Sequence, residues 1–314
     1  MSKRVFQFMV VGAAALPLWN YLCKKSKQSK IKGAYGQVVR IGGCNMVVDI
    51  KGEGNEPTII LLPGWGSPSP VLEFLPMAKE LAENFRVITI EPFGYGLSDR
   101  ISKERKIDAI VKELHECTKE LGCDQYYLMA HSISGVYSLY WANTYPQEVQ
   151  GFIGIDCSVP KQFDSTTLPI SVVMLNRLAA YKEHIENITG ITRLKAISHP
   201  KRAVNADFSY PYSEKELEVF QILGMDYANN RTVMNELNHM EENLEVIRDM
   251  KFPVHIPVLQ FISSDSCKIS EEWEPLHRSV ITETNKSEVL HFGKKHYLHL
   301  EQRRSMAEKV KAWI

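Results

Sequence analysis

Serine, histidine and aspartate residues stand where apolar segments of this chain end, and such side chains together can perform nucleophilic catalysis. The strongest pattern is residues 129–135, in which an apolar strand runs into a serine flanked by small residues and a helix follows. A nucleophilic serine needs this tight, strained turn to project its hydroxyl above a sheet, and only small neighbours let strand and helix approach so closely. We therefore predict Ser132 as a nucleophile, with Ala130 and Ser134 as its small neighbours.

A glycine-rich turn at residues 63–66 follows the apolar segment 58–62. Such a turn can aim a backbone N–H group at the space above the serine. A second N–H group would come from the start of the helix after Ser132, where backbone amides have no partner within the helix. We therefore predict that the amides of Trp65 and Ile133 form an oxyanion hole. The alternative for residues 63–66 is an ordinary turn that ends a strand.

Three histidines lie near the end of the chain, and one is well placed to act as a general base. His296 lies between the last predicted strand and the closing helix, so its imidazole can reach back over the sheet edge to the serine. We expect His299 to be structural and His291 to lie within the strand. A metal site is not expected, because no carboxylate or cysteine joins these histidines at ligand spacing.

Two aspartates are candidates for the carboxylate that orients the base. Asp265 follows the apolar segment 258–263, and Asp156 ends the strand that precedes it. A carboxylate at either strand end can hold the imidazole tautomer and stabilise the imidazolium ion. We assign this role to Asp265, and Asp156 is the alternative, either as the orienting acid or as a turn residue.

Hydrophobic periodicity predicts the elements that position these side chains. Short apolar segments alternate with helical periodicity after residue 33, which is typical of a parallel sheet with helices on both faces. The predicted strands are 35–41, 46–51, 58–62, 85–90, 126–130, 149–156, 258–263 and 288–292. Residues 160–250 contain helical segments without a clear strand, so we predict a helical cap over the carboxyl edge of the sheet, where α/β proteins bind ligands.

This succession, with serine, aspartate and histidine in that order, resembles the α/β-hydrolase family over residues 33–314. Residues 91–99 have an acid-x-x-Gly-x-Gly-x-Ser-Asp pattern that is similar to a loop of that family. The resemblance implies an α/β-hydrolase fold. It also implies catalytic roles for Ser132, Asp265 and His296, and oxyanion amides from Trp65 and Ile133.

The same resemblance implies hydrolysis of carboxylic esters, including lipid-derived esters or thioesters, through an acyl-serine. Epoxide hydrolases and haloalkane dehalogenases of this fold use an aspartate nucleophile, so Ser132 disfavours both activities. Perhydrolysis, C–C bond hydrolysis and ligand binding without turnover remain alternatives. The apolar cap segment 168–175 is expected to line an acyl pocket or to pack on the sheet. We expect a small-molecule ester with an apolar acyl group as the partner, and no cofactor.

The first 32 residues differ from the rest of the chain. Residues 5–23 are largely apolar with basic residues on both sides, which predicts a membrane anchor and basic linker at residues 1–32. A cleaved signal peptide and a surface helix are the alternatives. The lysines after this segment would place the catalytic domain on the cytoplasmic side. Six scattered cysteines without a CxxC pair agree with a reducing compartment.

Composition narrows the class of protein and of partner. The 314 residues are 44% hydrophobic and 24% charged, which is ordinary for a globular protein and excludes disordered and disulfide-scaffold classes. The first 32 residues hold seven of the 37 basic residues and none of the 37 acidic ones, which leaves the remainder with a net charge of −7. An acidic globular region argues against a nucleic acid partner.

Overall fold

The computed structural model describes residues 3–164, 167, 170–199, 204–283 and 285–314, with only the backbone described for residues 3–14, 170 and 172. The strands are β1 (Gln37–Ile41), β2 (Cys44–Lys51), β3 (Thr58–Leu62), β4 (Arg86–Glu91), β5 (Tyr126–His131), β6 (Val149–Ile155), β7 (Val258–Ile262) and β8 (Glu288–His291). The helices are α1 (Lys3–Ile31), α2 (Pro70–Leu81), α3 (Ile107–Glu120), α4 (Ser134–Thr144), α5 (Ile170–Thr189), α6 (Ile191–Ser198), α7 (Glu214–Asp226), α8 (Arg231–Val246), α9 (Ser264–Ile269), α10 (Trp273–Ser279), α11 (Leu298–Glu301) and α12 (Arg303–Trp313).

The eight strands form one sheet in the order β1-β2-β4-β3-β5-β6-β7-β8. β1 pairs with β2, and β2 with β4, in antiparallel fashion, and every other neighbouring pair is parallel. The predicted fold, a mostly parallel sheet opened by an antiparallel pair, is confirmed. Because β3, β5, β6 and β7 are parallel neighbours, the turns that follow them meet at one edge of the sheet.

Helices cover both faces of this sheet, and the alternation of side chains along β3 shows how. Ile60 and Leu62 pack into the core formed with α3 and α4, whereas Ile59 and Leu61 pack into the core formed with α2 and α12. All five residues of β3 are buried. This strand, buried on both faces, is apolar except for Thr58, as its sequence predicts.

Helices α5 to α8 occupy the segment between β6 and β7, where the sequence predicts a helical cap. In the described part of this segment, no residue belongs to a strand. The division into a domain at residues 33–314 and a cap at about residues 160–250 stays a prediction.

The prediction of a membrane anchor at residues 1–32 is wrong. Within the part of the chain that the structure describes, no helix has the length and apolar character needed to cross a membrane. Three further predictions depended on this anchor and are also wrong: the membrane as a partner, the single-pass localisation and the cytoplasmic placement of the catalytic domain. Residues 1 and 2 and the side chains of residues 3–14, which include the first part of the predicted anchor, lie outside the described residues.

The second half of α1 carries polar side chains that bind residues of α5, α6 and α7. Asn20 is buried, and its Nδ2 donates to the carbonyl oxygen of Asn187 at 2.9 Å, while Nε of Arg193 donates to its Oδ1 at 3.1 Å. Lys24 Nζ donates to the carbonyl oxygen of Asp226 at 2.9 Å. In a bilayer such groups would have no partners. The sequence shows how apolar α1 is, but the residues that bind its polar groups follow 167 to 202 positions later in the chain.

Candidate active site

Ser132 lies at the turn between β5 and α4 and has a φ of 53°. This backbone conformation is strained for a residue other than glycine, so the surrounding structure must hold it. The amide of Ser132 donates to the carbonyl of Ile155 at 3.2 Å, and its carbonyl accepts from the amide of Ser158 at 2.8 Å. The hydroxyl of Ser134 donates to the carbonyl of Pro63. Ser134 thus ties this turn to the one after β3, a contact that glycine would not provide.

Two glycines allow the backbone to pack closely against this turn. A Cβ atom at Gly64 would lie 2.5 Å from Nδ1 of His131 and 3.2 Å from Cβ of Ser132. A Cβ atom at Gly135 would lie 2.5 Å from Cβ of Cys157. Non-bonded carbon atoms normally stay about 3.5–4.0 Å apart, so a larger residue at either glycine would displace its neighbour.

Four of the five predicted site residues come together around a cavity of about 300 Å³, namely Trp65, Ser132, Ile133 and His296. In the described part of the chain, the backbone amides of Trp65 and Ile133 donate no hydrogen bond. Apolar side chains form much of the remaining wall: Phe163, Val173, Ala180, Leu237, Met240 and Trp273. Unpaired N–H groups beside an apolar cavity are available to a negatively charged oxygen.

The fifth predicted residue, Asp265, lies elsewhere, and the structure corrects that assignment. The carboxylate that contacts His296 is Asp156, whose Oδ2 lies 2.7 Å from Nδ1 of the imidazole. Asp265 belongs to α9, its side chain is 40% exposed, and its carboxylate lies 3.6 Å from Nζ of Lys268. The reason is local: β7 ends at Ile262 and the chain turns into α9, whereas Asp156 follows β6 directly.

Asp156 is fully buried, and five hydrogen-bond donors surround its carboxylate. They are the amide and hydroxyl of Ser263, the hydroxyl of Ser266, Nε1 of Trp273 and Nδ1 of His296. Burial acts to raise the pKa of Asp156, but the hydrogen bonds from His296 and Ser266 outweigh it and lower the pKa to about 2. An ionised carboxylate only accepts hydrogen bonds, so Nδ1 of His296 is the donor in this contact.

His131, which the sequence analysis did not single out, holds the backbone of His296. It is buried, and burial together with His296 and His299 lowers its pKa well below the usual range, so the ring is neutral. Its Nε2 lies 3.2 Å from the carbonyl oxygen of His296 and must donate, since a carbonyl only accepts. His131 directly precedes Ser132, and that position is the signal that would have identified it.

A group of three buried side chains in the described part of the chain has donor atoms that a metal ion requires. Glu73, His131 and His299 place one such atom each within 4.8 Å of one another. Oε1 of Glu73 lies 3.2 Å from Nε2 of His299, and Ser67 donates to Oε2 at 2.9 Å. The carboxylate beside His299 is thus Glu73 of α2, which the spacing of the histidines along the sequence does not reveal. Glu73 is hydrogen-bonded as it stands, and it does not line the cavity at Ser132.

Comparison with known proteins agrees with this architecture. The alpha/beta hydrolase fold family matches residues 57–264. The chain is 26% identical over 267 residues to "Uncharacterized protein YbdG" of Bacillus subtilis (strain 168), which covers 82% of this chain and 79% of that protein.

Two solved structures show the same fold. Epoxide hydrolase VrEH1 from Vigna radiata has a TM-score of 0.66 and 17% identity over 89% of this chain and 97% of its own. An esterase from Thermogutta terrifontis has a TM-score of 0.64 and 16% identity over 88% of this chain and 98% of its own. With the family match over residues 57–264, the chain belongs to the alpha/beta hydrolase fold family.

Proposed function

We propose that this hydrolase cleaves carboxylic esters through an acyl-serine intermediate, with Ser132 as nucleophile, His296 as general base and Asp156 as the orienting carboxylate. The observation that carries the proposal is the 2.7 Å contact between Asp156 and His296 beside the cavity that contains Ser132. A neutral imidazole whose Nδ1 is fixed by a carboxylate leaves Nε2 free to accept the serine proton.

The reaction follows from these atoms. Oγ of Ser132 attacks the ester carbonyl carbon while Nε2 of His296 takes the hydroxyl proton. The oxyanion accepts hydrogen bonds from the amides of Trp65 and Ile133, and each such donor stabilises the transition state by about 3 kcal/mol. The imidazolium, stabilised by Asp156, returns the proton to the leaving alcohol oxygen. Water then hydrolyses the acyl-serine with His296 again as base.

Two features favour esters over the substrates of other family members. A serine stands at the strained turn, which supports acyl transfer rather than the epoxide hydrolase activity named for one structural neighbour. The mostly apolar cavity suits an acyl group of modest size. Of the apolar segment 168–175, Val173 lines the cavity and Met174 and Leu175 are exposed, while 168, 169 and the side chains of 170 and 172 lie outside the described residues.

Labelling with a fluorophosphonate probe tests the proposal. We expect the folded protein to be labelled, and Ser132→Ala and His296→Ala to lose labelling by at least about 10³-fold, because both groups act in one step. His291→Ala is the matched control, since His291 is exposed and contacts Glu274 instead. Absence of labelling in the folded protein, or labelling that persists in Ser132→Ala, would contradict the proposal.

A further inference from the structure

A second, larger cavity adjoins the one at Ser132. Its volume is about 830 Å³, and it is bounded by α5, α6, α7 and the turn after β3. Trp65 and Tyr297 line both cavities. We call the cavity at Ser132 the inner cavity and the larger one the outer cavity. A ligand that is bound at Ser132 and extends past these two side chains enters the outer cavity.

We propose that the outer cavity binds the alcohol portion of the ester and favours alcohols with free hydroxyl groups, an inference that rests on the function proposed above. The direction follows from proton transfer, because His296 protonates the leaving oxygen and the alcohol therefore departs on the imidazole side. Tyr297 follows His296, with ring centroids 5.6 Å apart, and borders the outer cavity.

The acyl chain would then lie in the inner cavity, against the walls that do not border the outer cavity. Their apolar part is formed by Val173 and Ala180 of α5 and Leu237 and Met240 of α8. The charges of Arg177 and Glu241, which also line this cavity, are paired with each other at 2.9 Å. An apolar acyl chain buried there gains the hydrophobic stabilisation that a hydroxylated alcohol would forfeit. The two halves of the substrate are therefore expected to differ in polarity.

The outer cavity presents hydrogen-bonding side chains. Its described lining includes Glu183, Glu186, Asn187, Thr192, Lys195 and Asn229. The charge of Lys195 is matched, because Nζ lies 2.6 Å from Oε2 of Glu186. Asn229 donates to Oε2 of Glu183 at 3.0 Å. Carboxylate oxygens and the Thr192 hydroxyl can each bond a ligand hydroxyl, which both donates and accepts.

Tyr297 supplies a polar group at the junction of the two cavities. Among the described residues, its hydroxyl has no hydrogen-bond partner, and its ring lies 4.9 Å from that of His131 between centroids. Burial, with Glu73 and Glu183, raises the pKa of Tyr297, so the hydroxyl stays protonated and can donate. The structure thus offers a donor beside the point where the alcohol leaves.

Two butyrate esters test the inference because they share the acyl group and differ in the alcohol: glyceryl monobutyrate and pentyl butyrate. We expect kcat/KM to favour the glyceryl ester, and Tyr297→Phe and Thr192→Val to lower the glyceryl-to-pentyl ratio by about five- to tenfold each, the effect of one hydrogen bond. Both variants keep the side-chain shape. Tyr181→Phe is the matched control, because Tyr181 bonds Asn238 and lines neither cavity.

The outcomes separate this inference from the proposed function. A ratio that both variants leave unchanged, or a preference for the pentyl ester, would overturn the inference while ester hydrolysis stands. A protein that reacts with fluorophosphonate but cleaves neither ester would likewise overturn it. Loss of fluorophosphonate labelling itself would instead refute the function on which the inference rests.

Discussion

Asp156 and Glu91 are fully buried carboxylates at the carboxyl ends of β6 and β4, and their pKa values move in opposite directions. Burial raises the pKa of Glu91 to about 7, although amides and hydroxyls donate hydrogen bonds to it. Equally buried Asp156 has a pKa of about 2, and His296 makes the largest opposing contribution. At Glu91 the hydrogen bonds therefore offset burial only in part, whereas at Asp156 the hydrogen bonds and the electrostatic contribution of His296 together outweigh it.

Glu91 and Asp156 also differ in the parts of the protein with which they form hydrogen bonds. Oε2 of Glu91 accepts from the amide of Leu97 at 2.7 Å, and Oε1 accepts from the hydroxyl of Tyr35 at 2.9 Å. Ser98 donates to the carbonyl of Glu91 at 2.6 Å, and Asp99 accepts from the amide of Asn45 at 2.7 Å. The hydrogen bonds of Glu91 thus hold residues 91–99 together, and Asp99 joins them to β2. Asp156 instead contacts the side chain of His296 beside the cavity.

Removing the Asp156 carboxylate should give the largest change in stability. Asp156→Ala leaves five donors without their acceptor in a buried site, and we expect the free energy of unfolding to fall by about 4 kcal/mol. Urea denaturation followed by tryptophan fluorescence measures the loss. Asp265→Ala is the control and should change stability by less than about 0.5 kcal/mol, because Asp265 is partly exposed. Equal effects of the two substitutions would contradict the comparison.

The opposite pKa shifts predict opposite dependence of stability on pH. Glu91 has an ordinary pKa of 4.5 when unfolded and about 7 when folded, so its stabilisation is complete below pH 4.5 and is lost as pH rises through 7, about 3 kcal/mol in total. Asp156 stabilises the fold above its ordinary pKa of 3.8, and about 2 kcal/mol is lost as pH falls towards 2.

Urea denaturation between pH 4.5 and pH 8 tests the Glu91 part of this prediction. The stability of the wild-type protein relative to Glu91→Gln should decline by about 3 kcal/mol across that range, because glutamine does not titrate. In this difference, the pH-dependent contributions of all the other titratable groups cancel, because both proteins contain them. Parallel stability curves would show that Glu91 keeps its ordinary pKa in the folded protein.

A smaller loss of stability is expected when a side chain is introduced at Gly96, beside the Glu91 carboxylate. A Cβ atom at Gly96, where φ is 49°, would overlap both oxygens of the Glu91 carboxylate. Gly122 has a φ of 69° with no atom near the corresponding position, so Gly122→Ala reports the backbone cost alone. We expect Gly96→Ala to lower the free energy of unfolding by about 2 kcal/mol more than Gly122→Ala. Similar losses in thermal or urea unfolding would mean that the carboxylate moves freely.

The sequence predicts most of the sheet, because a strand that is buried on both faces is a short, contiguous run of apolar residues. The five residues of β3 are all apolar or β-branched and all buried, and the segment 58–62 carries that pattern. The turn at Ser132 is also local, since strand, small neighbours and helix are contiguous. Such features need no knowledge of distant residues.

The site beyond Ser132 depends on which strand ends lie together, and periodicity does not encode that. Asp156 and Asp265 both follow apolar strands, but only the structure shows that α9 carries Asp265 away while Asp156 contacts His296, 140 residues later. The polar side chains of α1 are a similar case, because their hydrogen-bond partners lie in α5, α6 and α7, far along the chain. Long-range pairing decides both outcomes.

The most direct test of the account is to compare Asp156→Asn with Asp265→Asn in the rate of fluorophosphonate labelling at Ser132, with the labelled peptide identified by mass spectrometry. Asparagine keeps the shape of either side chain but cannot hold His296 in the required tautomer. We predict that Asp156→Asn lowers the rate on the order of 10³- to 10⁴-fold, and that Asp265→Asn changes it less than about twofold. A large loss in Asp265→Asn with little change in Asp156→Asn would contradict the assignment.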